Sequence, residues 1–188
     1  MLAQKLPEAT IDAIELDEPS YKESAFNFAN SRYASRLKAY HISLQQFNST
    51  IKYDLIVSNP PYFEIPNFSK GNNTQDISES RKKLATQFTL TFEELVTAAA
   101  RLLMDRGMFW VIIPFDSKDK FIKICLEHNL HLQNEISVRS KPGFAFHRSV
   151  LGFGFNEKRN LENSELTIYN VDGTRHEEYI ELTEMFYL

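Results

Sequence analysis

An amphipathic helical pattern followed at once by a continuous apolar run constrains the fold more than any other feature of this sequence. Thr91 and Glu94 have the spacing of a capping box, and the apolar stripe behind them predicts a helix to about Leu103. Asp105-Arg106-Gly107 is predicted to end that helix. Met108–Ile113 is then entirely apolar, which is typical of a strand covered on both faces. Such a strand belongs in a parallel sheet between two layers of helices.

Strands and helices alternate along the chain as far as about residue 128, which predicts a parallel sheet. The later strands follow one another through a turn at Lys141-Pro142-Gly143, which predicts an antiparallel hairpin. The remaining predicted elements are a strand at Thr10–Glu15, a helix from Pro19 to about Asn30, strands at Leu37–Ser43 and Tyr53–Val57, a helix at Ser117–His128, and strands at Leu132–Arg139, Ser149–Phe155 and Glu165–Val171. We therefore predict an α/β fold with a doubly wound, mostly parallel sheet and an antiparallel C-terminal hairpin.

The size and composition of the chain suit one soluble core. It has 188 residues, of which 43% are apolar, so we expect a single domain over residues 1–188. Cys125, the one cysteine, lies in an apolar helical pattern, so we expect a buried, unreactive thiol and no cysteine-based metal site. No stretch approaches the roughly 20 apolar residues of a membrane span, and we expect a cytoplasmic protein.

The charge of the chain limits how it could meet nucleic acid. A net charge of −4 argues against a protein that coats nucleic acid without specificity, because backbone binding needs Lys and Arg to neutralise phosphates. Any contact with nucleic acid must therefore be made by a local cluster of basic residues. Clusters of basic residues are candidates for such a contact, but they are also common on protein surfaces that only meet solvent, so both interpretations stay open. The candidate clusters are Arg81-Lys82-Lys83, Lys118/Lys120/Lys123 and Arg139/Lys141/Arg148.

The chemistry-bearing motif is the loop Asn59-Pro60-Pro61-Tyr62, directly after a predicted strand. A planar exocyclic nitrogen is a poor nucleophile because its lone pair is delocalised into a ring or carbonyl. If the Asn59 side-chain oxygen and the Pro60 carbonyl each accept one N–H, they aim the lone pair at a methyl donor. Pro61 restricts Pro60 to extended backbone, and Tyr62 offers a stacking face worth roughly 1–3 kcal/mol per base. The alternative is an ordinary strand-ending turn, since Asn and Pro are common turn residues.

An acid ends an earlier strand and is a second candidate site residue. Glu15 closes the predicted strand Thr10–Glu15, as Asn59 follows the strand Tyr53–Val57. In open α/β sheets, ligands bind outside the carboxyl ends of the strands, so the two residues can share one site.

These features resemble the class I S-adenosylmethionine-dependent methyltransferases that act on exocyclic nitrogens, and within them the bacterial tRNA1(Val) (adenine(37)-N6)-methyltransferases. The resemblance covers nearly the whole chain and implies S-adenosylmethionine as the cofactor, tRNA as the partner and no metal. The stretches that carry it are Ala13–Asp17, Ser43–Phe47, Asp54–Phe63, Gly107–Pro114 and His147–Leu151.

The same resemblance implies roles in cofactor binding. Glu15 would accept hydrogen bonds from both ribose hydroxyls of the cofactor. The Ser43 hydroxyl and the Leu44 amide would bind its adenine, although relatives often have Asp at the position of Ser43. Asn59 would touch the cofactor as well as the target nitrogen.

On the substrate side, the resemblance assigns three residues. Tyr62 would stack on the target base, Phe63 would form a wall of the base pocket, and Arg81 would meet RNA phosphate. Thr86 stands about where a second basic residue is expected.

The family also has a first strand and a glycine-rich loop that approaches the cofactor backbone-first. Here Met1–Leu6 is similar to the end of the helix after that loop, and the first glycine is Gly71. The missing strand would lie between those that end at Glu15 and Val57. We infer an N-terminally incomplete chain, expected by itself to fold marginally and to bind S-adenosylmethionine poorly, which calorimetry would test.

Three other functions stay open from the sequence. The same loop serves the amide of a glutamine side chain in a protein substrate, and guanine N2 in ribosomal RNA. The absence of the glycine-rich loop would also suit an inactive methyltransferase fold used as a binding module. Oligomeric state is not predicted by any pattern in the chain.

Overall fold

In this computed structural model the chain forms two compact units. The first unit contains a parallel strand–helix–strand arrangement. Residues 1–60, 90–157 and 161–186 are described. The first unit comprises residues 1–50, and the second begins at Ile51. The elements of the first unit are α1 (Leu2–Lys5), β1 (Ile11–Glu15), α2 (Glu18–Ala29), a 3-10 turn (Ala34–Arg36) and β2 (Leu37–His41). The prediction of a single domain over residues 1–188 stays a prediction.

Local sequence signals explain where α2 begins and ends. The Asp17 carboxylate caps its N-terminus by accepting the Ser20 N–H at 3.0 Å, and Pro19 stands in the first turn, where its missing N–H costs no hydrogen bond. At the other end, the Asn30 side chain donates to the Phe26 carbonyl at 2.8 Å. Tyr21 then stacks on His41 with 5.1 Å between ring centroids, which fixes α2 against β2.

A mixed five-stranded sheet forms the second unit. Its strand order is β3-β4-β6-β5-β7, with β3 parallel to β4, β6 antiparallel to both of its neighbours, and β7 parallel to β5. The elements are β3 (Tyr53–Ser58), α3 (Phe92–Leu102), β4 (Leu103–Pro114), a 3-10 turn (Phe115–Ser117), α4 (Lys118–Glu127), β5 (His131–Arg139), β6 (Phe146–Gly154), β7 (Glu162–Thr167) and α5 (Glu177–Thr183). The predicted α/β class and the antiparallel hairpin β5–β6 are confirmed.

The end of α3 differs from the sequence prediction. The capping box at Thr91 and Glu94 is present, but β4 begins directly at Leu103, so Asp105-Arg106-Gly107 lies within β4 and does not end the helix. The pairing with β3 jumps from Leu103 to Met108 while β3 advances only from Tyr53 to Leu55. The turn-forming residues are therefore accommodated as an irregularity inside a strand.

One face of β4 is buried and the other is only half covered within the described residues. Phe109, Val111 and Ile113 are at most 1% exposed, whereas Ile112 on the opposite face is 37% exposed and Trp110 is half-buried. The prediction of a strand covered on both faces is thus correct for one face of the described structure. The core on that face is an aromatic cluster, with edge-to-face packing of Phe92 on Phe121 and contacts among Phe109, Phe121 and Phe153.

The hairpin between β5 and β6 turns where the sequence predicts. The Phe144 N–H donates to the Lys141 carbonyl at 3.1 Å, and Gly143 has φ +78°. With Pro142 before that glycine, the geometry is a type II turn, which requires positive φ at its third residue. β6 begins at Phe146, earlier than the predicted Ser149, and β7 likewise precedes its predicted position.

Two further sequence predictions concern the burial of Cys125 and the length of the apolar segments. Cys125 is fully buried on α4, and this burial raises the pKa of its thiol, so it is held in the unreactive protonated form as predicted. None of the described helices combines the length and apolar character needed to cross a membrane.

Candidate active site

The carboxyl end of β1 presents the first candidate residue, Glu15. Its Oε1 accepts the backbone N–H of Asp17 at 2.9 Å, which orients the carboxylate at the sheet edge. The Glu15 carbonyl accepts the Ile42 N–H at 3.1 Å, so the strand end is anchored to the residue that follows β2. A carboxylate offers about four acceptor positions, and one bond to an amide leaves capacity for two donor hydroxyls.

Asp17, which sequence reasoning did not single out, holds the next turn in place. Its carboxylate accepts both the hydroxyl of Ser20 at 2.7 Å and the Ser20 N–H. The hydroxyl first, and then the backbone N–H, lower the pKa of the Asp17 carboxyl. The same residue thus donates through its amide to Glu15 and caps α2 through its side chain. The signal was available, because an acid three residues before Ser20 has N-cap spacing.

Ser43 lies in a turn, not in a strand as predicted. β2 ends at His41, and the Ser43 carbonyl accepts the N–H groups of Gln46 and Phe47 at 3.1 and 3.0 Å. The Ser43 hydroxyl also accepts the Gln46 N–H, at 3.3 Å. A serine that bonds the backbone locally in this way favours a turn over continued strand pairing. Leu44 follows in this turn and is half-buried.

The carboxyl end of β3 presents the second group of candidates, in the other unit. Ser58 is the last residue of β3 and pairs with Val111, after which Asn59 is exposed and Pro60 is buried. Asn59 therefore stands at the carboxyl edge of the five-stranded sheet with its side chain accessible. Of the predicted site residues, Pro61, Tyr62, Phe63 and Arg81 lie outside the described residues.

The predicted residues thus fall into two groups. Glu15, Ser43 and Leu44 lie at the carboxyl edge of the β1–β2 pair, because Glu15 is in register with His41 and the other two follow His41 by two and three residues. Asn59 and Pro60 follow the edge strand β3 in the second unit.

A row of cations and aromatic rings stands at the carboxyl edge of the five-stranded sheet. The Lys118 Nζ lies 4.9 Å from the Phe115 ring centroid, Phe115 lies 5.4 Å from Phe146, and the Arg139 guanidinium lies 5.0 Å from Phe146. The position of Phe115 could be inferred from the sequence, because it follows the apolar strand β4. Its pairing with Phe146 depends on the register of β6 between β4 and β5, which no local pattern specifies.

The described residues contain no cluster of metal-binding side chains. Across residues 1–60, 90–157 and 161–186, no three His, Cys, Asp or Glu side chains converge in a way that could hold a metal ion.

Solved methyltransferases share the fold along most of this chain. A predicted O-methyltransferase from Agrobacterium tumefaciens aligns with a TM-score of 0.70 and 12% identity, over 97% of this chain and 81% of its own. The N-methyltransferase NodS from Bradyrhizobium japonicum WM9 aligns with a TM-score of 0.54 and 10% identity, over 80% and 76%. This is the fold of the class I methyltransferases, the class that takes its methyl group from S-adenosylmethionine.

Sequence relatives narrow the class to one family. The model of the Eco57I restriction-modification methylase matches residues 3–138. The tRNA1(Val) (adenine(37)-N6)-methyltransferase of Flavobacterium psychrophilum is 37% identical over all of this chain and 78% of its own length, and that of Proteus mirabilis is 33% identical over 100% and 74%. The chain belongs to the tRNA1(Val) (adenine(37)-N6)-methyltransferase family, as the motifs in its sequence indicate.

Proposed function

We propose that this protein methylates N6 of an adenine in tRNA(Val), next to the anticodon, with S-adenosylmethionine as the methyl donor. The observation that carries the proposal is the placement of Asn59 and Pro60 directly after β3, at the carboxyl edge of the sheet, in a chain of this family. A bacterial enzyme with this substrate acts in the cytoplasm. The proposed substrate rests on the names of the relatives, which specify tRNA1(Val). The proposed chemistry rests on the residues described below.

Asn59 and Pro60 are assigned to the target nitrogen. An exocyclic amine has two N–H groups, and the Asn59 Oδ1 and the Pro60 carbonyl each accept one of them. Both acceptors together draw the nitrogen toward tetrahedral geometry and direct its lone pair at the methyl carbon. When bound, the cofactor would supply the methyl group from its sulfonium, and the methylated nitrogen would release one proton to water. No side chain has to remove a proton before transfer.

Glu15 and the turn at Ser43 are assigned to the cofactor. S-adenosylmethionine supplies an activated methyl group on a sulfonium and presents two ribose hydroxyls and an adenine to the protein. The Glu15 carboxylate, oriented by the Asp17 amide, has acceptor capacity for both hydroxyls. The Ser43 hydroxyl accepts the Gln46 N–H and retains its own proton, so it can donate to an adenine ring nitrogen, while the Leu44 amide offers a second donor.

The remaining assignments fall on residues outside the described part of the chain. Pro61 restricts the backbone of Pro60, Tyr62 stacks on the adenine, Phe63 borders the base, and Arg81 meets an RNA phosphate. Stacking on an aromatic ring contributes about 1–3 kcal/mol per base.

Transfer of a labelled methyl group tests the function. The protein, as its gene encodes it, is incubated with methyl-labelled S-adenosylmethionine and either total tRNA or total protein from cells that lack the enzyme. Label is expected in tRNA, as N6-methyladenosine after nuclease digestion. Label in a glutamine amide of protein, or in guanine N2 of ribosomal RNA, would replace the tRNA proposal by one of those activities. No label in any fraction would indicate an inactive binding module.

The role of Asn59 is tested separately. Asn59→Ala removes one of the two acceptors, so turnover should fall by about 100-fold or more, far more than cofactor affinity falls. Asn163→Ala, an exposed asparagine on β7, is the matched control and should keep full activity. Activity that survives Asn59→Ala would contradict the assigned mechanism even if tRNA is the substrate.

A further inference from the structure

We propose that the tip of the β5–β6 hairpin binds the RNA strand beside the target adenine, through stacking on Phe144 and phosphate contacts from Lys141 and Arg148. This set of three residues is called the hairpin surface below. The inference rests on the proposed function, since it places the substrate of that same site. It concerns a nucleotide that flanks the adenine and not the adenine itself.

The turn geometry presents Phe144 to solvent. Phe144 is the last residue of the type II turn, held by its N–H bond to the Lys141 carbonyl, and 61% of its surface is exposed. Gly143 supplies the positive φ, and Pro142 fixes the preceding φ, so the turn has little conformational freedom to lose on binding. An aromatic ring exposed on a rigid turn offers a flat face on which a nucleobase can stack.

The charge around this ring favours a polyanion. The segment from Ile136 to Asn156 contains no Asp or Glu, although the chain as a whole has 25 acidic and 21 basic residues. Within it lie three cations and the exposed His147. The combination of a stacking ring with neighbouring cations is how proteins bind single-stranded nucleic acid. The chain thus concentrates, at one hairpin, a charge opposite to its net charge.

The strand register places the hairpin surface beside the Asn59 loop. β6 is the second strand from β3, so at ~4.8 Å per strand it stands ~10 Å to the side. Ser58 is level with Val111, whereas Arg148 is level with Pro114, three residues farther along β4. At ~3.3 Å per residue, Arg148 therefore lies ~10 Å beyond the end of β3, and the turn that carries Phe144 lies farther out. An adenine at Asn59 would have its neighbouring nucleotides at this height and distance.

The contacts made by Arg139 and Lys141 indicate which of these two side chains can bind phosphate. Arg139 is held by a 2.5 Å ion pair with Glu165 and by a bond to Thr167, so it is assigned to supporting Phe146 and not to RNA. Lys141 is half-buried, and its Nζ donates at 3.3 Å to the Val171 carbonyl, a long bond that a phosphate can replace. Asp172 lies near Lys141, and it sets a limit on the local positive potential.

RNA affinity tests the hairpin surface. Binding of a fluorescent anticodon stem-loop of tRNA(Val) is measured by anisotropy across a salt series, with the protein as its gene encodes it. Phe144→Ala should weaken binding by about 5-fold or more, the lower end for one stacked base. Lys141→Ala should reduce the slope of log affinity against log salt by about 1, as expected for one lost phosphate contact. S-adenosylmethionine affinity and melting temperature should stay unchanged, because both side chains lie at the surface.

Matched controls are Phe26→Ala on α2, which removes a ring that is 68% exposed, and Lys22→Ala on the same helix, which removes the same charge away from every candidate cluster. Both should bind RNA as the unaltered protein does. If the unaltered protein methylates tRNA while Phe144→Ala and Lys141→Ala bind it normally, the hairpin surface is wrong and the proposed function stands. If the unaltered protein neither binds nor methylates tRNA, the proposed function fails, and the hairpin surface fails with it.

Discussion

The indole ring of Trp110 lies over Gly152 on the neighbouring antiparallel strand. The two residues are paired in the β4–β6 register, and a Cβ built on Gly152 would come within 3.0 Å of two atoms of the ring. Real Cβ atoms rarely approach so closely. The absence of a side chain at Gly152 therefore allows the half-buried Trp110 to cover the sheet at this point, on the face where Ile112 is 37% exposed.

Gly152→Ala should destabilise the protein by about 1–3 kcal/mol, because the added methyl group displaces the ring in a packed region. Urea denaturation of the variant gives this difference. The same substitution should cost much less in a Trp110→Leu background, where no ring opposes the methyl group. An equal cost in both backgrounds would show that the ring is not what excludes a side chain at Gly152.

The capping box of α3 gives a second stability prediction. The Thr91 hydroxyl accepts the Glu94 N–H at 3.2 Å, and the Glu94 carboxylate accepts the Thr91 N–H at 2.8 Å. Thr91→Ala should therefore cost about 1 kcal/mol in urea denaturation. Thr97→Ala, at an exposed position inside the same helix, should be neutral or slightly stabilising, because alanine has the higher helix propensity. A similar loss from both variants would argue against a specific cap.

Cofactor affinity should depend on the charge at Glu15. Glu15→Gln replaces two acceptor oxygens by one and removes the charge that strengthens both bonds to the ribose hydroxyls. The dissociation constant for S-adenosylmethionine, measured by calorimetry on the protein as its gene encodes it, should rise by about 10-fold or more. Glu181→Gln on the exposed side of α5 is the control and should leave the constant unchanged. An unaltered constant in Glu15→Gln would remove Glu15 from the cofactor site.

Acid sensitivity should reflect Asp17. Its pKa is lowered in the folded state by the Ser20 hydroxyl and N–H, so its ionised form adds stability above the unfolded pKa of about 3.9. That contribution is lost as the pH falls through the lower, folded pKa. Asp17→Asn keeps a capping oxygen but cannot titrate. The melting temperature of the unaltered protein should thus approach that of Asp17→Asn below about pH 4, and a constant difference down to pH 2 would contradict the assignment.

Sequence reasoning predicts those parts of the fold that local patterns specify. The cap at Thr91, the turn at Lys141–Phe144 and the strands ending at Glu15 and Ser58 depend on residues close together in the chain. The strand-end rule then places Glu15 and Asn59 at carboxyl edges without knowledge of the tertiary structure.

The features that the sequence did not predict depend on the pairing of strands that are far apart in the chain. The insertion of β6 between β4 and β5 brings Phe146 to Phe115 and Gly152 to Trp110, and neither pair has a local signature. The strand pairing at Leu103 likewise overrides the turn preference of Asp105-Arg106-Gly107. Ser43 shows the opposite case, where a local hydroxyl bond ends a strand that apolar patterning would extend.

The short connection between β5 and β6 has a consequence for the order of folding. Ser140–Ala145 closes this hairpin, whereas β3 and β4 can pair only after the chain from Asn59 through α3 has been spanned. Loop-closure entropy grows with the length of the closed segment, so the hairpin is the least costly long-range pairing in the sheet to nucleate. We expect pulse-labelled hydrogen exchange to protect the amides of β5 and β6 before those of β3. The turn that presents Phe144 would then also be the point from which the sheet assembles.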